Sequence, residues 1–273
     1  MDSFKDKTVI ITGGATGIGF GLAKRFGSEG AKIVIGEPRQ DKLDEAITEL
    51  KGLGIDAAAM VMDVTDPKSM EAFADFAWET YGGGHVLINN AGIATGRAPM
   101  VDVPLEDLHR LMNVNFFGVW HGAATFGKRM IAQGESAAIY NLASENAFFN
   151  AVQNSAPYIA SKHAVRGLTE AMRDEFPDHI QVGMIVPGFV ASDMTKGVQQ
   201  FAMDADTFAE KVVEQIRAGE FYVVTHSYNM VRIKPIHDEI HDAYARNAPR
   251  YDGDEEYDVP TLLARLSSQR EDS

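Results

Sequence analysis

The sequence predicts an α/β fold, with one doubly wound sheet of about seven mostly parallel strands flanked by helices. Three observations predict it. Short apolar segments alternate with longer segments of helical periodicity along the chain. Several of the short segments are apolar throughout, as expected for strands that are covered on both faces. A glycine-rich segment follows the first of them, at the edge where sheets of this class bind ligands.

The alternation gives the order of the elements. We expect strands at residues 8–12, 32–35, 57–62, 86–89, 138–142, 182–186 and 221–225. We expect helices between them at residues 19–27, 41–51, 67–81, 105–132 and 159–176. In the last helix, Val165, Leu168 and Met172 recur at three- and four-residue spacing, which indicates a face packed on the sheet.

No linker rich in proline, glycine or serine divides the chain, so we predict a single Rossmann-type domain over residues 1–250. Residues 191–207 form a long connection after a strand, which is typical of a mobile flap. Residues 251–273 form an acidic tail that we expect to be solvated and partly disordered, with docking on another subunit as the alternative.

Composition limits the classes of function. Hydrophobic residues make up 45% and charged residues 23%, which indicates a folded chain rather than a disordered one. The net charge is −14, and such a surface would repel a phosphate backbone, so we expect no nucleic-acid partner. No apolar run approaches the ~18 residues that span a bilayer, and the start lacks a signal pattern, so we expect a cytoplasmic protein without a membrane partner. The chain has no cysteine, and we expect no metal site.

The segment Thr12-Gly13-Gly14-Ala15-Thr16-Gly17-Ile18-Gly19 has the spacing and the place of a dinucleotide-binding turn. Gly13 suits the tight turn, Gly17 lets the backbone approach a pyrophosphate, and Gly19 allows close packing of helix on strand. The N-terminus of the following helix offers N–H groups and a positive dipole to the phosphates. We therefore expect Gly13, Thr16, Gly17, Ile18 and Gly19 to bind a dinucleotide cofactor.

The end of the second strand carries the residues that distinguish NAD from NADP. Glu37 lies ~20 residues beyond the glycine turn, where an acidic side chain commonly accepts hydrogen bonds from the adenosine ribose. Its charge would also repel a 2′-phosphate. Arg39 is the competing residue, because its guanidinium could hold that phosphate or could simply pair with neighbouring acids. We predict NAD, with NADP as the alternative.

Further motifs follow in a fixed order: Asp63-Val64, Asn89-Asn90-Ala91-Gly92, Asn115, Ser144, Tyr158-x-x-x-Lys162 and Pro187-Gly188. With the glycine turn they resemble a classical short-chain dehydrogenase/reductase, over residues 5–245. Each motif alone is weak, whereas all of them in order, correctly placed against strands and helices, are highly specific. The resemblance implies an oxidoreductase that transfers a hydride between NAD(P) and a secondary alcohol or ketone.

Tyr158 and Lys162 lie four residues apart at the start of a predicted helix, so both side chains share one face. A phenol titrates near ~10, so a base acting near neutrality needs its pKa lowered by ~3, which is about 4 kcal/mol. A nearby ammonium and an oxidised nicotinamide favour the ionised form. Tyr158 would then donate a proton to a carbonyl or take one from an alcohol. The resemblance implies that Lys162 also holds the nicotinamide ribose.

Ser144 follows the fifth strand, at the carboxyl edge of the sheet, where its hydroxyl can hydrogen-bond the reacting oxygen. The interval from this serine to Tyr158 is one residue longer than is usual in the family, which makes Glu145 the competing position. Aligning the strand end selects Ser144. The resemblance implies Asn115 as a further catalytic residue that fixes a water beside Lys162, and its register selects it over Asn113.

The resemblance also places further cofactor contacts at strand ends. Those expected are Asp63 and Val64 beside the adenine, Asn90, Ala91 and Gly92 along the cofactor, and Pro187, Gly188, Val190 and Ser192 at the nicotinamide. His85 has no functional account, and we expect a surface histidine.

The segments around the site are rich in large apolar side chains, which favours a bulky, apolar or aryl alcohol or ketone. The expected substrate contacts are Ser144, Phe149, Phe189 and Met194, with Phe148, Val152 and Phe201 as further candidates. The alternative is that most of these apolar residues lie in the core; if half of them face the cleft, the pocket is apolar and aromatic. A steroid or sugar is the alternative substrate class, and a catalytically silent cofactor-binding sensor or scaffold is the alternative function. A sugar-nucleotide epimerase fits the glycine spacing less well. The resemblance implies a homodimer or homotetramer, with residues 105–132 and 159–176 as contact surfaces.

Overall fold

A seven-stranded parallel sheet forms the centre of the computed structural model, which describes residues 3–271. The strands are β1 (Thr8–Thr12), β2 (Lys32–Glu37), β3 (Ala57–Val61), β4 (Val86–Asn89), β5 (Ala137–Leu142), β6 (Ile180–Val186) and β7 (Tyr222–Val224). Their order across the sheet is β3-β2-β1-β4-β5-β6-β7, and every neighbouring pair is parallel. The predicted doubly wound, Rossmann-type fold is confirmed, and all seven predicted strands are present.

Nine helices of the described residues surround the sheet or follow it. They are α1 (Gly17–Ser28), α2 (Gln40–Gly52), α3 (Pro67–Tyr81), α4 (Leu105–Met112), α5 (Gly118–Gln133), α6 (Ala156–Glu175), α7 (Ala205–Ala218), α8 (Asn229–Asn247) and α9 (Val259–Glu271). None of them is both long enough and apolar enough to cross a membrane. The single helix predicted over residues 105–132 is instead α4 and α5 joined by a π-helical turn, Asn113–Phe117.

Local signals explain why some helices begin and end where the sequence predicts. In α3, the Asp66 side chain caps the first turn by accepting from the Lys68 N–H at 2.9 Å, and Pro67 occupies the first turn. The helix ends at Gly82, whose φ of 80° is the left-handed conformation that glycine adopts without strain. These signals act within a few residues, so the predicted bounds of α3 match the observed ones.

The core lies on both faces of the sheet. Along β1, Val9 and Ile11 pack on one face, whereas Ile10 packs on the other. The first face is covered by α1, α2 and α7, and the second by α3, α5 and α6. These strand residues are fully buried, and burial of one such aliphatic side chain contributes about 1.5–3 kcal/mol. The middle of β1 is therefore apolar on both faces.

His85 is largely buried rather than on the surface, so that expectation is wrong. Its Nδ1 accepts from the Thr8 N–H at 3.1 Å, and its Nε2 lies 3.2 Å from a Glu135 carboxylate oxygen. The backbone donor makes Nδ1 the acceptor, so Nε2 carries the proton toward Glu135. His85 is the residue before β4, and it thus joins the start of β1 to Glu135, which precedes β5. This contact lies at the edge of the sheet opposite the carboxyl ends.

The described chain divides into two compact units, Met1–Asn229 and Met230–Ser273, well before residue 251, where the acidic tail is predicted to begin. The first unit contains the sheet. The second contains most of α8, a short turn at Asp254–Tyr257 and α9. Side chains 230–268 include none that is buried.

Candidate active site

A cleft of about 650 Å³ opens at the carboxyl ends of β1, β2 and β4. The strand order reverses between β1 and β4, and such a reversal leaves a crevice in which open α/β sheets bind ligands. The predicted cofactor residues that line it are Gly13, Thr16, Gly17, Ile18, Glu37, Asp63, Val64, Asn90, Ala91, Gly92 and Ser192. The structure thus brings together residues from five separate segments of the sequence.

The glycine turn has the geometry that its sequence predicts. Gly13 and Gly17 have φ values of 64° and 54°, which side chains larger than glycine rarely adopt. A Cβ on Gly19 would lie 2.4 Å from the Gly13 carbonyl oxygen, so Gly19 packs beneath the turn rather than lining the cleft. The Asn90 Nδ2 donates to the carbonyls of Thr12 and Gly13, each at 2.9 Å. The Asn90 side chain therefore holds the turn in place.

The start of α1 fits a phosphate group. Thr16 precedes the helix without a side-chain cap, and the first turn contains no acidic residue. The first N–H groups of a helix lack partners within it, so those of α1 are available to an anion. Ser192 lies above Gly17, where a Cβ would come within 3.0 Å of the serine Cβ. The absence of a side chain at Gly17 leaves the room that a dinucleotide needs.

Glu37 and Arg39, which compete in the sequence analysis, are partners in the structure. The Arg39 Nε donates to a Glu37 carboxylate oxygen at 2.6 Å. Glu37 is buried, and the ion pair raises the pKa of Arg39. Arg39 also reaches Thr16 Oγ1 at 3.4 Å and Asp193 Oδ2 at 3.3 Å. Both side chains line the same end of the cleft, next to the glycine turn.

Ser144, Tyr158 and Lys162 meet beyond the end of β5. The Ser144 Oγ accepts from the backbone N–H and the side-chain Nδ2 of Asn146, at 3.2 and 3.3 Å. These two bonds leave the hydroxyl proton free for Tyr158, with which Ser144 forms a hydrogen bond. The Lys162 Nζ lies 5.6 Å from the centroid of the Tyr158 ring and donates to the Leu142 carbonyl at 2.9 Å.

Burial sets the electrostatics of this group. Burial raises the pKa of Tyr158, whereas the hydrogen bond with Ser144 lowers it and the carboxylate of Glu145 raises it. Burial lowers the pKa of Lys162 to about 8. The protein alone therefore does not supply the lowering that Tyr158 needs to act as a base. Glu145, the alternative to Ser144, turns its carboxyl toward Gly188.

Asn115 lies in the π-helical turn and is fully buried, whereas its competitor Asn113 is exposed. Its Oδ1 accepts from the Ile93 N–H at 2.8 Å, and its Nδ2 donates to the Ile93 carbonyl at 3.0 Å and to Ser161 Oγ at 3.2 Å. A Cβ on Gly92 would lie 3.4 Å from Asn115 Oδ1 and 3.8 Å from Lys162 Nζ. Asn115 thus fixes the segment after β4 beside Lys162.

The sequence matches the family model for short chain dehydrogenases over residues 7–202. It is 32% identical to 1-deoxy-11-beta-hydroxypentalenate dehydrogenase of Streptomyces avermitilis over 83% of this chain and 87% of that protein. It is 34% identical to a C alpha-dehydrogenase of Sphingobium sp. over 72% of this chain and 64% of that protein. A short chain dehydrogenase/reductase of Burkholderia phymatum, solved in complex with NAD, superposes with a TM-score of 0.84, at 27% identity, over 89% of this chain and 97% of that one.

The chain belongs to the short-chain dehydrogenase/reductase family. It is a nicotinamide-dependent oxidoreductase that acts on an alcohol or ketone. The family motifs lie at the ends of β1, β4, β5 and β6 and at the start of α6. They include Ser144, Tyr158 and Lys162, which lie next to the cleft residue Leu142.

Of the predicted substrate residues and Val190, the structure places only Met194 in the lining of the cleft. Phe189 and Met194 are 41% and 54% exposed. Val190 is buried in the core, and Phe149 is partly buried. Phe148 is not a pocket residue, because its ring packs against Tyr222 and under the Arg166 guanidinium. Other lining residues that the sequence analysis does not single out are Ile93, Ala94, Val114, Leu142 and Asp193.

Proposed function

We propose that this chain is an NAD-preferring dehydrogenase and reductase of bulky, apolar or aryl secondary alcohols and ketones, with Tyr158 as the general acid and base. The observation that carries the proposal is the meeting of Ser144, Tyr158 and Lys162 beside the cleft. Lys162 donates to the carbonyl of Leu142, and Leu142 lines the cleft together with the glycine turn. A hydroxyl pair and a buried ammonium suit proton transfer to or from one oxygen of the substrate.

Each catalytic side chain has one task in this proposal. Ser144 donates a hydrogen bond to the reacting oxygen and holds it beside the Tyr158 hydroxyl. Tyr158 gives its proton to the oxygen during reduction and takes one during oxidation. Lys162, whose pKa is about 8, is mostly protonated at pH 7 and favours the ionised tyrosine. Asn115 keeps the segment after β4 in place beside Lys162.

The residues of the cleft fit a nicotinamide dinucleotide. Gly13, Thr16, Gly17 and Ile18 would hold the pyrophosphate, and Asn90, Ala91 and Gly92 would line the cofactor with their backbone. The remaining proposed contacts are Asp63, Val64, Tyr158, Lys162, Pro187, Gly188 and Ser192, with Val190 through its backbone N–H. Gly19 would contribute indirectly, by packing beneath the turn. When bound, nicotinamide supplies hydride transfer and, in its oxidised form, a positive charge. That charge favours the ionised form of Tyr158, against the effect of burial.

The preference for NAD rests on Glu37. Its buried carboxylate lies at the end of the cleft, where it can accept hydrogen bonds from ribose hydroxyls. Arg39 is already paired with this carboxylate at 2.6 Å, so its charge is partly neutralised. A 2′-phosphate would have to approach the Glu37 charge, which disfavours NADP.

The substrate class rests on the side chains that flank the site. Ser144 would contact the reacting oxygen, whereas Phe149, Phe189 and Met194 would contact the apolar part of the substrate. The exposure of Phe189 and Met194 supports this assignment. The relative from Streptomyces avermitilis is named as a dehydrogenase of 1-deoxy-11-beta-hydroxypentalenate.

We also propose a homodimer or homotetramer. The π-helical turn and α5 expose Phe117, Trp120 and Ile131 on one side, at 45%, 52% and 45% of their area. Large apolar side chains exposed together commonly mark a protein interface. Sedimentation velocity of the full chain should show an oligomer, and a monomer at all concentrations would contradict this assignment.

The proposed activity is tested by following nicotinamide absorbance with NAD and with NADP across aryl, alicyclic, steroid and sugar secondary alcohols. We expect turnover that favours NAD and an aryl or bulky apolar alcohol. The Tyr158→Phe variant is the control for protein-independent reaction. Turnover with NADP alone would contradict the role of Glu37. Cofactor binding without turnover of any substrate would favour a sensor or scaffold instead.

A further inference from the structure

The turn after β6, residues Pro187, Gly188 and Phe189, is held by a side chain from the loop after β7. The Gly188 N–H donates to the Nδ1 of His226 at 3.1 Å. The Nε2 of His226 lies 3.3 Å from the Phe189 carbonyl oxygen. One imidazole therefore contacts the backbone of two successive residues of the turn.

These contacts fix the tautomer of His226. A backbone N–H can only donate, so Nδ1 must be the acceptor. The Thr225 hydroxyl, 2.8 Å from Nδ1, then donates to the same atom. The proton lies on Nε2, from which it can be donated to the Phe189 carbonyl. His226 is thus a neutral imidazole. Its Nδ1 accepts from the Gly188 N–H and the Thr225 hydroxyl, and its Nε2 faces the Phe189 carbonyl.

Glu145 also contacts the Pro187–Gly188–Phe189 turn. Its N–H donates to the Pro187 carbonyl at 2.9 Å. A Cβ on Gly188 would lie 3.0 Å from a Glu145 carboxylate oxygen and 2.6 Å from the Cγ of His226. The carboxyl and the imidazole therefore both pack against the Gly188 α-carbon, and no larger residue fits there. Glu145 also accepts a hydrogen bond from the Asn229 side chain.

The placement of Glu145 links this turn to the catalytic group. Glu145 follows Ser144 directly in the chain, and its carboxylate is close enough to raise the pKa of Tyr158. Burial raises the pKa of Glu145 itself, whereas the hydrogen bond from Asn229 lowers it. A partly buried carboxyl group is costly unless it has partners, and here the partners are those that hold the turn.

We propose that Glu145 and His226 are positioning residues, which fix the Pro187–Gly188–Phe189 turn against Ser144 and so set the nicotinamide side of the site. This inference rests on the proposed function, because it assumes that the turn contacts the nicotinamide. Neither residue belongs to the family motifs described above. Their effect is transmitted through the Gly188 N–H, the Phe189 carbonyl and the Pro187 carbonyl.

The test compares two substitutions of His226, one that keeps a hydrogen-bond acceptor for the Gly188 N–H and one that removes it. His226→Asn keeps an acceptor at the position of Nδ1, whereas His226→Phe keeps a ring without one. We measure the Kd of NADH and of ADP-ribose, which lacks the nicotinamide, by titration calorimetry, together with kcat and KM. Thermal unfolding of each variant shows whether it is folded.

For His226→Phe we expect the Kd of NADH to rise and kcat to fall, each by about tenfold, as for the loss of one buried hydrogen bond. The Kd of ADP-ribose should stay as in the wild type. His226→Asn should recover most of both losses. Equal weakening of NADH and ADP-ribose, or wild-type values for His226→Phe, would overturn the proposal.

Glu145→Ala gives a second test should His226→Phe fail to fold. It removes the carboxyl group that packs against Gly188 and accepts from Asn229, and it should lower kcat and weaken NADH binding with no effect on the Kd of ADP-ribose. Glu145→Gln keeps the shape of the side chain and an acceptor, so it should recover most of both losses. Wild-type kcat and NADH affinity in a folded Glu145→Ala variant would also overturn the proposal. Tyr158→Phe tests the proposed function separately from the positioning role of Glu145 and His226, because it should lose turnover while it binds NADH as the wild type does. The comparison of NADH with ADP-ribose needs no turnover, so it tests His226 even where the proposed activity fails.

Discussion

Removal of the Lys162 amine should change how the stability of the protein depends on pH. Lys162 is 3% exposed, and burial lowers its pKa from the ordinary 10.5 to about 8. A pKa difference of this size corresponds to about 3 kcal/mol, at about 1.36 kcal/mol per pKa unit. Because burial is the cause of the lowering, this is the order of the free energy by which burial of the charged amine destabilises the folded protein.

The sign follows from proton linkage. Below pH 8 the amine is charged in both the folded and the unfolded chain, so the full destabilisation is present. As the pH rises from 8 to 10.5, the folded state loses the proton first and the destabilisation disappears. At pH 10.5 less than about 1 kcal/mol should be left by the same relation. The Lys162→Met variant has no amine, so its stability lacks this dependence.

We therefore expect the advantage of Lys162→Met over the wild type, in free energy of unfolding, to fall by about 3 kcal/mol between pH 7 and pH 10.5. The variant also leaves the Leu142 carbonyl without this donor, at a cost of about 1–3 kcal/mol. That cost does not vary with pH in the variant, so the change with pH is the quantity to test rather than the difference at a single pH.

The assay is urea unfolding followed by far-ultraviolet circular dichroism, at several pH values across this range. Lys51→Met, at an exposed position of α2, controls for the general effect of alkaline pH on the chain. A difference between Lys162→Met and the wild type that is constant with pH, or that grows as the pH rises, would refute the reasoning. Loss of turnover in Lys162→Met is expected in either case, because the variant lacks the ammonium beside Tyr158.

Three further variants test the site. Tyr158→Phe should lower kcat by at least about 100-fold, as for loss of a general acid and base, and calorimetry should show unchanged affinity for NADH; turnover near the wild-type rate would contradict the mechanism. Glu37→Ala should raise the KM of NAD by about tenfold or more and reduce discrimination against NADP, and an unchanged ratio of kcat/KM for the two cofactors would remove Glu37 from the ribose site. Gly19→Ala should lower the unfolding free energy by about 1–3 kcal/mol, because its Cβ would meet the Gly13 carbonyl at 2.4 Å. Gly52→Ala, with no atom within 4 Å of the added Cβ, should not be destabilised in the same urea titration.

The strands and most helices of the first unit, Met1–Asn229, can be predicted from local sequence patterns. Residues of β1 such as Val9 and Ile10 are apolar in succession because both faces of the strand are covered. The helix α7 lies outside the prediction although Phe208, Val212 and Ile216 repeat at helical spacing. This helix is not predicted because residues 191–207 are interpreted as a flap, and α7 begins within that range, at Ala205.

The catalytic and cofactor motifs are also readable from the sequence, since each is a short segment with a fixed place at a strand end. The sequence does not show how the segments meet. Glu37 and Arg39 are alternatives in the sequence but an ion pair in the structure. The raised pKa of Tyr158 and the lowered pKa of Lys162 depend on burial, which no residue spacing reports.

The sequence by itself therefore determined the family, the order of the strands along the chain and the candidates for the reactive side chains, because these depend on patterns within short segments. Only the tertiary structure decided which distant groups share an environment. Asn115 meets the Ile93 backbone, and His226 meets Gly188, across 22 and 38 residues of chain. Such contacts depend on the spatial order of the strands and on the packing of their carboxyl ends, to which every segment of the sheet contributes.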